Sequence, residues 1–345
     1  MPSGEYFTSY EERMGLIRWR IERVALVLGL PIPLIAPFVL TGELVSVFTL
    51  VFIFGIAVLG LHVMLSYAGE IVLAQGAFMA IGAYTASRVV NEAGLGLLPA
   101  MLIAGLMTAS VATAFGLPAG RVKGFYVAIS TLALQFIAVQ FFFRRGEFEV
   151  IHGGTQQSMP GEIGLVGDAL TIGSANEEYF FALVMLAVFA LLTMNLSRTG
   201  IARMFRALHE NDLSAQVLGI NRFRNKLLAY AIGGFMVGVA GALYTIYIGF
   251  ITPEFFSIDI TLLHYMMLLL GGMGRVWGVI LGVTTVELLN HYILQTLIDI
   301  FPEGTALEPM FFGIIIIVVL IVEPKGLMAA LGQLKEYLRK WPYAY

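Results

Sequence analysis

Glu287 lies within an apolar run, and Asn290 and His291 follow three and four residues later, so the three side chains share one face of a helix. An acid surrounded by hydrocarbon is costly, so it either bonds a neighbouring helix or His291, or it takes part in transport. Beyond this group the residues that do covalent chemistry are sparse. The five histidines, His62, His152, His209, His264 and His291, are scattered over loops and separate helices. There is no H-E-x-x-H zinc pattern, no G-x-S-x-G elbow and no G-x-x-x-x-G-K-[ST] phosphate loop. Cysteine is absent, which removes disulfides, thiol catalysis and thiolate metal sites together. An enzyme is therefore a poor reading. If ATP drives this molecule, another chain binds it.

The stretch 197–226 carries more chemistry. It holds Arg198, Arg203, Arg206, Arg222, Arg224 and Lys226 against Glu210 and Asp212. Asp212 to Val217 reads as a short helix with a small-residue face at Ala215, and Gly219 follows where a helix-stopping glycine belongs. A short helix projecting from a membrane domain, ended by Gly219 and flanked by Arg206 and Arg222, suits docking into a cleft of another protein. An ordinary solvated loop is the plainer reading.

The elements that must hold these residues are membrane helices. Of 345 residues, 59% are hydrophobic and 12% charged, far from the composition of a soluble globular chain. A bilayer core about 30 Å thick takes roughly 20 apolar residues per helix. Apolar runs lie near 24–40, 44–66, 71–90, 97–117, 125–143, 179–196, 227–250, 255–270, 277–297 and 309–323, so the expected fold is an all-α integral membrane protein of about ten spans. The formal net charge of -3 argues against general nucleic-acid binding.

An even number of spans puts both termini on one side. Arg13, Arg18, Arg20 and Arg23 at one end, with Lys325, Lys335, Arg339 and Lys340 at the other, make that side cytoplasmic. Segment 1–23 is then a cytoplasmic lead, and the run after it, with Pro31, Pro33 and Pro37, reads as an uncleaved, kinked helix rather than a signal peptide. Residues 24–323 form the membrane domain. Loop 144–178, with two arginines against six acids, is the outer one, and the basic loop 197–226 is the inner one. Residues 324–345 read as an amphipathic helix, lying either on the inner membrane surface or on the protein's own inner face.

Some spans are short or broken by glycine. Phe255 to Leu270 runs into Gly271-Gly272-Met273-Gly274, and Ser66-Tyr67-Ala68-Gly69 interrupts the chain before Ile71. Irregular backbone at membrane depth is tolerated only where protein or a watery cavity receives it. His62, Met64, Gly69 and Gly76 match His264, Met266, Gly271 and Gly278 at a constant offset of 202, a possible internal repeat. Gly69, Gly76, Gly271 and Gly274 either line a translocation path or its gate, with Gln75, Ser130, Thr131 and Gln135 hydrating it, or serve close helix packing.

Three stretches resemble the LivM-type permease subunits of branched-chain amino acid importers, and a fourth resembles ABC importer permeases more broadly. Ala215-Gln-Val-Leu-Gly-Ile-Asn221 is similar to the coupling loop of ABC importer permeases. The Gly-rich run Ser66 to Thr85 is similar to that family's segment leading into the third span, and Lys123 to Ala133 to the start of its fifth. Ala240-Gly-Ala-Leu-Tyr244 with Gly271-Gly-Met-Gly-Arg-Val-Trp-Gly278 is similar to its C-terminal signature. The resemblance implies an inner-membrane subunit that pairs with a second, homologous permease, two ATPase subunits that hydrolyse ATP with Mg, and a periplasmic binding protein, while binding no cofactor itself. It places ATPase coupling on Arg206, Glu210, Asp212, Ala215, Gly219 and Arg222. Two places depart from the family pattern: Gln157-Ser158-Met159 follows the Gly-Gly-Thr of the outer loop, and Glu70 stands where the family often has an amide. Relatives of this family also carry urea, short amides and aromatic acids, and those solutes are the alternative cargo.

Overall fold

In the computed structural model the residues described are 31–119, 125–144, 156–165, 171–300, 313, 314, 317, 321 and 326–332. The expected cytoplasmic lead 1–23, the beginning of the first apolar run, parts of the outer loop, most of the run 309–323 and the end of the C-terminal helix lie outside them.

The chain folds into helices named here in order: α1 Pro31–Val39, α2 Gly42–His62, α3 Gln75–Ala93, α4 Leu97–Ala119, α5 Phe125–Phe136, α6 Ala175–Leu196, α7 Gly200–Glu210, α8 Asp212–Val217, α9 Arg222–Ile248, α10 Ile258–Gly271 and α11 Val276–Ile300. Wider π-type turns extend α2 through Val63–Tyr67 and α5 through Ile137–Phe142. Among the described residues four helices are long and apolar enough to cross a membrane: Gly42–Tyr67, Leu97–Leu117, Ala175–Leu196 and Arg222–Ile248. They coincide with the runs expected at 44–66, 97–117, 179–196 and 227–250. The run expected at 71–90 differs, because its helix begins only at Gln75.

α2 and α9 are the centre of the bundle. α2 packs against α6, α9, α10 and α11, and its residues from Val51 to His62 are all buried. α9 packs against α2, α3 and α4. Small residues make these crossings close: a Cβ on Gly82 of α3 would run into the carbonyl of Gly238 of α9, and one on Gly234 would lie 2.6 Å from Cβ of Ala112 on α4. In lipid there is no hydrophobic drive between helices, so backbone proximity of this kind supplies the packing. The outer helices keep an apolar face turned away from the bundle, with Leu102, Leu106 and Met107 on α4 and Val184, Val188 and Leu191 on α6 exposed. Such faces suit contact with lipid.

α9 is 27 residues long and so spans about 40 Å, which separates two differently built ends. Beyond its C-terminus, Phe250–Ile251 pairs antiparallel with Gln157–Ser158, and Asn91 at the end of α3 donates to the carbonyl of Ser158 at 2.9 Å. Arg144 pairs with Glu254 there at 2.7 Å. The Glu254 carboxyl is held below its ordinary value chiefly by its own backbone N–H, against desolvation, with Thr252 and Arg144 adding to the effect. Before the N-terminus of α9 stand α7 and α8.

Candidate functional site

The loop 197–226 is largely helical rather than open coil, and each of its helices has a side-chain cap. Thr199 accepts the N–H of Ala202 ahead of α7, and Asn211 accepts those of Leu213 and Ser214 ahead of α8. Asn221 accepts that of Arg224 ahead of α9. Each such cap satisfies one or two of the donors that a helix start leaves open. α7 is amphipathic, burying Ala202, Phe205 and Leu208 and exposing Arg203, Arg206 and Glu210.

α8 ends as its sequence leads one to expect. Gly219 has φ +83, and the N–H groups of Gly219 and Ile220 turn back onto the carbonyls of Gln216 and Ala215 at 2.9 and 3.0 Å. Ala215 is buried on the inner side of α8. The other side presents Leu213, Val217 and Leu218, which are 68%, 87% and 79% exposed. The arginines flanking α8 are engaged within the chain. Arg222 pairs with Asp212 at 3.0 Å, and Arg206 donates to the backbone carbonyls of Ala202 and Ser197. Beside the charged face of α7 the loop thus also exposes an apolar tip, which a reading by charge does not reveal.

The first glycine break lies beside this loop. Gly69 has φ +71, and a Cβ there would lie 2.7 Å from the imidazole of His209 on α7. Residues Ala68 to Ala74 form no helix, yet their backbone groups are met by distant side chains. The N–H of Leu73 is accepted by the hydroxyl of Thr131 on α5 at 2.9 Å. The Tyr265 hydroxyl of α10 accepts the N–H of Val72 at 2.8 Å and donates to its carbonyl at 3.1 Å. At the start of α3, Gly76 donates to Thr261 at 2.9 Å, and Ala77 to Gln135 at 2.7 Å. Gln135 also donates to the carbonyl of Phe256 at 2.7 Å, and Gln75 to that of Ala57 at 2.8 Å. Thr131 therefore meets the broken backbone and Gln135 the first turn after it, whereas Gln75 ties the start of α3 to the middle of α2. Ser130 takes no part; it is exposed and bonds its own helix at Tyr126.

The second break behaves differently. A Cβ on Gly271 would overlap the carbonyl of Gly278, and one on Gly282 that of Met267, so α10 and α11 are pressed together at their glycines. Gly274 is exposed with φ +101 and open space around it. Gly326, at the head of the helical stretch 327–332, packs against the backbone of Gly272.

Two buried charges escaped the sequence reading, which singled out Glu287 as the deep acid. Glu287 is indeed buried, at 3% exposure. Glu70 is buried as well, and it pairs with Lys226, whose side chain is also buried. The pair borders a cavity of about 270 Å³ lined by Gly69, Glu70, His209, Asp212, Arg222 and Lys226 among others. The signal for Glu70 was its departure from the family's amide; nothing local in the sequence points to its partner. Among the described residues no three His, Asp or Glu side chains converge as a metal site would require.

The comparisons agree with this architecture. The family described as "Branched-chain amino acid transport system / permease component" matches residues 43–320. The high-affinity branched-chain amino acid transport system permease protein LivM of Escherichia coli is 30% identical over 311 residues, 85% of this chain and 71% of that protein. A probable branched-chain amino acid transport permease protein LivM of Methanocaldococcus jannaschii is 28% identical over 252 residues, 68% of this chain and 69% of that protein. The ribose import permease protein RbsC of Haemophilus influenzae is 27% identical over 240 residues, 66% of this chain and 69% of that protein. No solved structure matches. With the family matched across nearly the whole helical domain, the chain belongs to the permease components of branched-chain amino acid transport systems.

Proposed function

We propose that this chain is the permease subunit of an ATP-driven importer of branched-chain amino acids in the inner membrane of a bacterium. It forms the translocation path with a second, homologous permease, two ATPase subunits bind and hydrolyse ATP with Mg, and a periplasmic protein delivers the solute. The observation that carries this reading is the apolar tip of α8: Leu213, Val217 and Leu218 stand exposed on a capped helix beyond the end of the long membrane helix α9. Three adjacent apolar side chains facing water call for a partner surface, and the cleft of an ATPase subunit is the partner the family provides. Asp212, Ala215, Gly219 and Arg222 shape the tip, while Arg206 and Glu210 on α7 flank it.

On this reading both termini and the loop 197–226 are cytoplasmic, and the acidic loop 144–178 faces the binding protein. The breaks at Gly69–Gly76 and Gly271–Gly274 are the gate, supported by Thr131 and Gln135 holding backbone at and just after the first break and by Gln75 tying α3 to α2. An internal repeat is supported by two helix pairs, α2 with α3 and α10 with α11, each joined through a glycine break after a buried histidine. Co-purification tests the assignment. The intact chain brings two ATPase subunits out of the membrane and supports solute-stimulated ATP hydrolysis in lipid; a chain that purifies without them and carries solute unaided would refute it.

A further inference from the structure

The segment 68–74 is a strap between two machines. On one side it is tied to the membrane helices, through Val72 to Tyr265 of α10 and through Leu73 to Thr131 of α5. On the other side it carries a single charged residue, Glu70, and that residue pairs with Lys226 near the start of α9. Lys226 and Arg222 lie four residues apart on one face of α9. Arg222 in turn holds Asp212, the first residue of α8. Two ion pairs therefore run in series from α8 to the strap, joined by one turn of helix: Asp212 to Arg222, then Lys226 to Glu70.

The setting suits transmission of movement. Both side chains of the Glu70 and Lys226 pair are less than a tenth exposed, so salt does little to screen them and neither charge has bulk water to fall back on. Beside the pair lies the cavity of about 270 Å³, which leaves the strap room to shift on that side. Across the strap, α10 carries both Tyr265 and Thr261 and ends at the second glycine break, so a shift of the strap reaches both breaks.

Resting on the importer reading above, we infer that Glu70 and Lys226 are positioning residues that convey the movement of the docked helix α8 to the strap before α3. The pair is then the link between ATP-driven motion outside the membrane and the backbone of the gate within it.

The test uses the complete importer in lipid vesicles and measures solute carried per ATP hydrolysed. The neutral combination Glu70→Gln with Lys226→Met keeps the shapes and leaves no unpaired charge. It is expected to assemble and hydrolyse ATP while uptake per ATP falls by about tenfold, within the ordinary range of coupling between two sites. The exchanged combination, Glu70→Lys with Lys226→Glu, restores a buried pair and is expected to recover at least part of the ratio. A neutral combination that keeps the wild-type ratio, or an exchanged one no better than the neutral, overturns the inference. Absence of ATP-driven uptake by the unaltered importer in the same vesicles would instead overturn the importer reading itself.

Discussion

Gln135 accepts the backbone N–H of Ala77 at 2.7 Å, and that contact fastens α5 to the first turn of α3 at the point where the chain resumes helix. A helix start leaves its first N–H groups without partners, and water is scarce in a membrane core. The same side chain donates to the carbonyl of Phe256 at 2.7 Å, so one amide serves two stranded backbone groups.

Removing it has a calculable effect. Gln135→Ala strands a buried donor and a buried acceptor, each at a cost of about 1–3 kcal/mol, and lowers the unfolding midpoint of the protein in detergent. Ser130→Ala, on an exposed side chain that bonds only its own helix, changes stability by less than about 0.5 kcal/mol. Equal effects from the two would mean that Gln135 does not hold the break.

The glycines divide by physical cause. A Cβ at Gly76 would lie 2.6 Å from the carbonyl of Phe256, and one at Gly271 would overlap that of Gly278, so alanine at Gly76 pushes α3 off the turn that precedes α10, and alanine at Gly271 forces α10 away from α11. Gly274→Ala meets open space and bears only the strain of φ +101, about 1–3 kcal/mol. Thermal unfolding in detergent is expected to rank Gly76→Ala and Gly271→Ala below Gly274→Ala.

At the loop, Val217→Asp puts a charge on the apolar tip without touching a buried group. It is expected to leave the chain inserted in the membrane and to abolish recovery of ATPase subunits with it. Gly219→Val strains the αL turn at φ +83 by about 1–2 kcal/mol and weakens the same association by misplacing α8. Arg222→Glu acts from within, by turning the attraction to Asp212 into repulsion. Quantitative co-purification distinguishes all three from the unaltered chain.

The sequence made legible whatever depends on neighbours along the chain. Hydropathy located the four long apolar helices, and the order Asp212, Ala215, Gly219 located a short helix and its stop, because capping and termination are decided within one or two turns. The positions of both glycine breaks were legible for the same reason. What the breaks are made of was not. Thr131 and Tyr265 reach the strap, and Gln135 the start of α3, from remote parts of the chain, and a polar residue in an apolar run looks alike whether it faces a path or caps another helix. Lys226 read as one more basic residue of an inner loop until the fold placed it on Glu70. The π-type turns at Val63–Tyr67 and Ile137–Phe142 left no compositional mark.

Selectivity offers a further prediction. The relatives include a ribose import permease as well as branched-chain amino acid permeases, so one architecture serves unlike solutes. Glu287 is buried on α11, and we propose that it ties helices together rather than contacting solute. Glu287→Gln is expected to leave the ranking of transported solutes unchanged even where uptake slows, whereas exchange of the binding protein changes that ranking. Competition uptake with leucine, isoleucine, valine and an aromatic acid reads the outcome directly; a new ranking with the same binding protein would make Glu287 a solute contact.

The proposed importer moves solute through this chain by ATP hydrolysed on separate subunits. The most direct measurement of this coupling is uptake of radiolabelled leucine into sealed vesicles containing the purified importer, with binding protein outside and ATP with Mg trapped inside. Accumulation that requires ATP, and that disappears with Val217→Asp, is the predicted result. Accumulation driven by a proton or sodium gradient without ATP, or by this chain alone, would contradict it.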